Sequence, residues 1–251
     1  MRTSSAFRAP PTARMRLTVL LIALILLTPL ISHFALSAPA GPIITYNNTE
    51  NVTPAPAASI TTAGGSFTTL VLNATTQTPR WKAYVGNVTG RFTLQNAANY
   101  TLYDWGTAYV GGEVYSSRNG SVDWPTIGCV QNSSIVSEQN ALNFSASAVD
   151  SINRTFNRTV HRGFWVGTTR IANSTCRAIA TYLNSTNQSV SENAKFQEVL
   201  LQDGGSSLIY SALIDQDTAG FSNQPFDFQM IVPEDEYSTM PHTYYFWVEL
   251  S

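Results

Sequence analysis

Lysine is nearly missing from this chain: Lys82 and Lys195 are the only two in 251 residues. Charged residues make up 12% of the sequence, about half the usual share. A nucleic-acid surface needs clustered lysine and arginine to neutralise phosphates, and no basic run follows the N-terminal segment. Nucleic acid is therefore excluded as an expected partner. Histidine is equally scarce, with His33, His161 and His242 alone. There is no His-Glu-x-x-His, no Gly-x-Ser-x-Gly, no phosphate loop and no Cys-x-x-Cys pair, which removes the common signatures of zinc, acyl-transfer and nucleotide chemistry. No catalytic residue and no cofactor are assigned, and the chain reads as a non-enzyme. A Ser-His-Asp triad assembles only in space, so a secreted hydrolase stays as the least favoured reading. His161, beside Arg162, reads as a surface loop residue. No apolar run long enough to cross a bilayer follows residue 36, so no membrane span is expected beyond the N-terminal segment.

That segment is the clearest positive signal. Arg2, Arg8, Arg14 and Arg16 precede the almost wholly apolar stretch 17–31, and small residues follow, ending Ser37-Ala38-Pro39-Ala40. A basic leader, an apolar core and a small-residue site make a secretory signal peptide, assigned to residues 1–40 with cleavage after Ala40. Cleavage after Ser37 is an alternative. So is an uncleaved anchor, because residues 17–36 approach the roughly 20 residues a bilayer requires. Pro29, Ser32 and His33 weaken the anchor reading. The expected location is the cell surface or the extracellular space. Without the leader the chain carries ten basic and sixteen acidic residues, a net charge of −6.

Asparagine is patterned. Triplets of the form Asn-x-Ser/Thr begin at Asn47, Asn51, Asn73, Asn87, Asn99, Asn119, Asn132, Asn143, Asn153, Asn157, Asn173, Asn184 and Asn187, which is thirteen of eighteen asparagines. Serine and threonine total 54, so chance alone would give about four. Such triplets are N-glycosylation acceptors in an exported chain. Asn51 is a special case, because Pro54 follows its triplet. No acceptor begins from Gln188 onward. The last third would stay free of sugar, either as a docking surface or because it forms central strands.

Cys129 and Cys176 are the only cysteines. In an oxidising compartment a single pair reads as a disulfide. Closing a loop of this length stabilises by about 3–4 kcal/mol in the chain-entropy account.

Residues 41–64, rich in Pro, Thr, Asn and Ala, read as an extended arm. One apolar island lies in it, around Ile43, Ile44 and Tyr46. A strand-prone island can pair with a sheet edge of another copy, or form an edge strand of its own domain. Residues 65–251 read as one β-sandwich or jelly-roll-like domain. Expected strands include 67–72, 81–85 returning through a 86–90 turn to 92–94, 100–105, 108–115, 164–171 and 226–232. A hairpin is expected over 196–214, with its turn at Gly204-Gly205. The last strand, 243–250, carries apolar residues on both faces, which suits a central position. The region of about 132–160 reads as a short helical insertion. Segments 134–144 and 147–156 show helical spacing, the second with a Ser147/Asp150 capping box and with Val149, Ile152 and Phe156 on one face.

Two acidic groups, Asp215-Gln216-Asp217 and Glu234-Asp235-Glu236, raise the possibility of calcium, which favours several oxygen ligands. Neither fits the twelve-residue calcium loop, and a solvated turn is the simpler reading. Trp81, Trp105, Trp124, Trp165 and Trp247 either pack in the core, as their strand spacing favours, or stack on sugar rings.

The runs TPRWKAYVGNVTGRFTL (78–94), YDWGTAYVGGEVYSSR (103–118), FQEVLLQD (196–203), DFQMIVPE (227–234) and TYYFWVELS (243–251) resemble a group of archaeal surface proteins with no assigned activity. The resemblance implies a setting, the archaeal cell exterior, and no functional residues. The layout is also similar to glycosylated subunits of archaeal extracellular threads, which donate an N-terminal strand to the next copy. The expected partners are further copies of the chain, or other surface proteins and glycans.

Overall fold

The computed structural model describes residues 38–53, 55–106, 111–145, 147–235 and 241–251. The signal-peptide assignment lies almost entirely outside the described residues. Strands β1 (Trp81–Gly86), β2 (Thr93–Gln95), β3 (Thr101–Asp104), β4 (Gly112–Ser117) and β5 (Gly128–Cys129) come first. Helices α1 (Asn132–Ala141) and α2 (Ile152–Thr155) follow. Then come β6 (Phe164–Val166), β7 (Thr169–Ile171), β8 (Ala178–Ala180), β9 (Gln197–Gln202), β10 (Leu208–Leu213), β11 (Thr218–Ala219), β12 (Pro225–Phe226), β13 (Phe228–Pro233) and β14 (Tyr245–Leu250). The protein is mainly β, and its paired strands run antiparallel.

A central sheet runs in the order β14-β4-β10-β9-β5, with β8 also paired to β9. Both of its faces are covered. On one face Val114, Leu200, Leu208, Tyr210 and Ala212 meet Met230 and Val232 of β13, Trp81 of β1 and Ile135, Ile152 and Phe156 of the helical region. On the other, Tyr115, Val199, Leu201, Ile209 and Leu213 meet Phe164, Val166 and Ile171 of the β6–β7 hairpin. Two covered faces explain the apolar run Val199–Leu201 in β9 and the nearly continuous one in β10, which Ser211 alone interrupts. Each fully buried Leu, Ile or Val contributes roughly 1.5–3 kcal/mol. A one-residue slip of β10 would exchange its two buried sets and lose both packings.

The turn between β9 and β10 lies where Gly204-Gly205 predicts it. Asp203 locks it: its Oδ1 accepts the Ser207 N–H at 2.8 Å and its carbonyl accepts the Ser206 N–H at 3.0 Å.

Several expectations are corrected. Residues 67–72 form no strand and are exposed, because strand propensity expresses itself only against a partner. β1 does not pair with 92–94 but with β13, in the register Tyr84↔Met230. Asp227 sets this arrangement, its N–H bonding the Gly86 carbonyl at 2.9 Å and its carboxylate accepting the Val88 N–H at 2.7 Å. The stretch 164–171 is two strands, turned at Gly167, whose φ of 55° is left-handed. β14 is an edge strand, with β4 on one side. Its apolar character on both faces comes from the layers above and below.

The expected second helix is a single turn whose N-cap is Ser151, so the Ser147/Asp150 capping box is not used. Val149 is exposed, whereas Ile152 and Phe156 are fully buried, so the three do not share a face. The helical insertion of 132–160 packs into the core. Ile135, Leu142, Phe144, Ile152 and Phe156 are all buried, and helix α1 rests on β10.

Candidate functional site

Residues 41–53 and 55–64 of the expected arm are exposed throughout. Ile43, Ile44 and Tyr46 are 89%, 68% and 81% exposed, and no strand includes them. Just before them, Ala40 makes an antiparallel bridge to Val248, with N–H···O distances of 3.1 and 2.8 Å. Among the described residues, this bridge is the one pairing on the outer side of β14.

All thirteen acceptor asparagines are exposed, as are the other five asparagines. Exposure alone therefore does not single out the triplets. Three acceptor amide nitrogens are held by specific partners. Asn119 Nδ2 donates to Ser207 Oγ at 2.8 Å, Asn143 Nδ2 to Asp235 Oδ2 at 2.7 Å, and Asn173 Nδ2 to Glu192 Oε2 at 2.9 Å. The triplet-free last third contains β9 and β10, buried at eleven of their twelve positions. Within these two strands the triplet-free chain is buried rather than open surface, whereas 221–225 of the same third is exposed.

Cys129 and Cys176 form a disulfide, with their Cα atoms 4.9 Å apart. Strand β9 has β10 on one side and two short strands, β5 and β8, sharing the other. Cys129 lies in β5 and Cys176 two residues before β8. The bond therefore joins two strand fragments that share one edge.

His161 corrects the surface-loop expectation, because it is fully buried. Its Nε2 accepts the N–H groups of Thr175 and Cys176 at 3.2 and 3.0 Å. Its Nδ1, 2.8 Å from the Arg162 carbonyl, carries the proton and donates it. Burial lowers its pKa and keeps the ring neutral, against the opposing carbonyl bond. Both ring nitrogens are occupied in fixing the backbone at the disulfide. His242 lies elsewhere, 3.3 Å from Glu234.

The Asp215 group is not an open cation site. Its buried carboxylate meets Arg162 Nη1 at 3.1 and 3.2 Å, Lys195 Nζ at 3.1 Å and the Phe196 N–H at 2.7 Å. Protein cations already neutralise it. Phe196 needs this anchor, since it is a bulky buried residue at φ 48°, a conformation L residues seldom adopt. Asp215→Ala is expected to cost about 2–3 kcal/mol, read as a lowered urea midpoint. An unchanged midpoint would remove Asp215 as that anchor. In the other acidic group, Glu234 faces His242 and Asp235 faces Asn143, while Glu236 lies outside the described residues. No cluster of three or more metal-ligating side chains occurs among the described residues.

Trp81, Trp124 and Trp247 pack against the two cores, whereas Trp105 and Trp165 are exposed. Trp105 belongs to a feature the sequence does not announce. In the β2–β3 ribbon Leu94 pairs with Tyr103, and the Trp105 N–H bonds the Phe92 carbonyl. The register puts Phe92, Leu94, Tyr103 and Trp105 on one face, and all four are exposed.

A polar cleft of about 360 Å3 lies between the end of β4, helix α1 and the β9–β10 turn. Neither His161 nor His242 lines it. Among the described residues no helix is long and apolar enough to cross a membrane. Comparison with known protein families, curated proteins and solved structures returns no match to this chain.

Proposed function

We propose that this is an exported, densely N-glycosylated structural protein of the cell surface or extracellular matrix, a fibre or layer subunit that assembles through its N-terminal arm. The exposed island Ile43, Ile44 and Tyr46 beside the thinly paired edge of β14 carries this reading. An open edge is a template for another strand, and main-chain bonds with alternating side-chain contacts are how added strands bind. Cleavage after Ala40 would remove the Ala40–Val248 bridge and free that edge for residues 42–46 of a second copy. The exposed acceptor asparagines and the few charged residues fit a surface solvated by sugar.

Ile44→Asp places a charge in the arm and touches nothing in the core. It is expected to abolish filaments or sheets in negative-stain images while leaving the circular dichroism and melting temperature of the monomer unchanged. Normal assembly of this variant would sink strand donation through the arm.

The β2–β3 face favours a second reading, an extracellular module that binds surface glycans or a surface-layer partner. Tyr103 and Trp105 are 59% and 61% exposed, with ring centroids 5.0 Å apart. Aromatic faces bury large area at little entropic cost. A dispersed monomer that binds purified envelope polysaccharide, and loses binding on Trp105→Ala, would favour this reading over assembly.

A further inference from the structure

The cleft beside Asn119 has chemistry of its own. Ser117, Arg118 and Asn119 at the end of β4 form one wall, Ser134 and Glu138 of helix α1 another, and Ser207 of the β9–β10 turn a third. Arg118 and Glu138 form a two-point ion pair, Nε to Oε1 at 2.7 Å and Nη2 to Oε2 at 2.8 Å. Glu138 thus matches the charge of Arg118. The planar guanidinium still has N–H groups beyond the two used here. The cleft therefore offers directed donors and acceptors around a neutralised pair, which suits a neutral, many-hydroxyl ligand better than an anion. Its volume is at the low end of the roughly 300–1,000 Å3 typical of small-molecule sites.

Ser134 supplies an independent observation. Its side chain lines the cleft and is only 4% exposed, and its hydroxyl has no hydrogen-bond partner. A buried hydroxyl without a partner costs about 1–3 kcal/mol, and a ligand hydroxyl at the cleft would relieve that cost. Asn119 supplies the direction. Its Oδ1 accepts the Ser121 N–H at 3.0 Å, which fixes the amide plane, and its Nδ2 reaches Ser207 Oγ at 2.8 Å. The nitrogen that would carry sugar is thus held at the cleft, and Asn119 heads an acceptor triplet with Ser121.

We infer that the cleft is the seat of the first sugar of the chain's own Asn119 glycan, which folds back between β4, helix α1 and the β9–β10 turn and pins them together. This rests on the reading that the acceptor triplets carry sugar. The Asn119 glycan then acts as a structural element, unlike a glycan at Asn153 on the exposed side of α2.

The test uses the full chain produced in a host that N-glycosylates it. Glycopeptide mass spectrometry gives the occupancy of each acceptor. Melting temperature and amide hydrogen exchange are then compared for wild type, Ser121→Ala, Asn119→Gln and Asn153→Gln. Ser121→Ala removes the triplet but keeps the Asn119 side chain and the Ser121 N–H. Expected are an occupied Asn119, a melting temperature about 3–6 °C lower in both Ser121→Ala and Asn119→Gln, and faster exchange in 132–141 and 203–208 of those two variants alone. Occupied Asn119 with wild-type melting and exchange in Ser121→Ala would overturn the inference and leave glycosylation standing. A bare Asn119 among occupied acceptors would do the same. Bare acceptors throughout would overturn both.

Discussion

Replacing Glu113 by glutamine is expected to stabilise the protein by ~4–5 kcal/mol at pH 9 and to change little near pH 4. Glu113 is buried on β4 directly opposite Glu249 of β14, and its Oε2 has no partner. Burial, then the neighbouring Glu249 carboxyl, pushes its pKa up to about 8, with Arg162 and Tyr115 working the other way. In the unfolded chain the same carboxyl ionises near 4.5. Between these values the folded chain binds more protons than the unfolded one. This contribution is therefore fully present below about pH 4.5, declines as pH rises towards 8, and is gone above it. Glutamine has no proton to lose and removes that decline.

Glu198, fully buried and bonded through Oε2 to the Ile231 N–H at 2.9 Å, is pushed well above the carboxylate range by burial. Glu249 is raised by burial too, although the Gly167 N–H and the Tyr115 hydroxyl bind it. Both favour acid stability. His161, whose pKa is lowered, has the opposite sign, and its contribution is lost as pH falls below about 6.5. Subtracting the variant's urea-unfolding profile from that of wild type between pH 4 and 9 cancels His161. A difference that stays flat across this range would exclude Glu113 as the titrating group.

Reducing the disulfide, or making the Cys129→Ser/Cys176→Ser variant, is expected to cost about 3–4 kcal/mol and roughly 10 °C in melting temperature. The loop it closes spans 47 residues. The structure adds a local reason, since β5 and β8 are too short to hold their side of β9 independently. β5 contributes two residues and β8 three. Loss of the link is expected to speed amide exchange first at 128–130 and 176–180 and to expose the edge of β9. Equal exchange there in oxidised and reduced protein would show that the strand fragments hold without it.

The arm, the acceptor triplets, the cysteine pair and the β9–β10 hairpin were all legible in the sequence. Each depends on local composition, on short spacing or, for the pair, on there being no other cysteine. Helix α1 was legible too, because Ile135, Gln139 and Leu142 recur at helical spacing on its buried side. Read locally, β1 had its partner in 92–94, but its true partner β13 lies almost 150 residues away. Only the closing of both core faces selects that pairing. Likewise β14, apolar on both faces, reads as central. It sits at an edge because sheet order is decided by which strands flank β4, and the layers above and below bury its side chains.

The site chemistry divides in the same way. The sequence alone determined that the chain carries few charges, a basic and then apolar N-terminal segment, thirteen Asn-x-Ser/Thr triplets and no familiar catalytic signature. The tertiary structure decided that His161 serves the disulfide, that Asp215 is neutralised by Arg162 and Lys195, and that Glu113 and Glu249 face each other. It also brought Asn119, Ser134 and Ser207 to one cleft. Such pairings join residues tens to more than a hundred positions apart. They come from the packing of two faces of one sheet, which local composition does not encode.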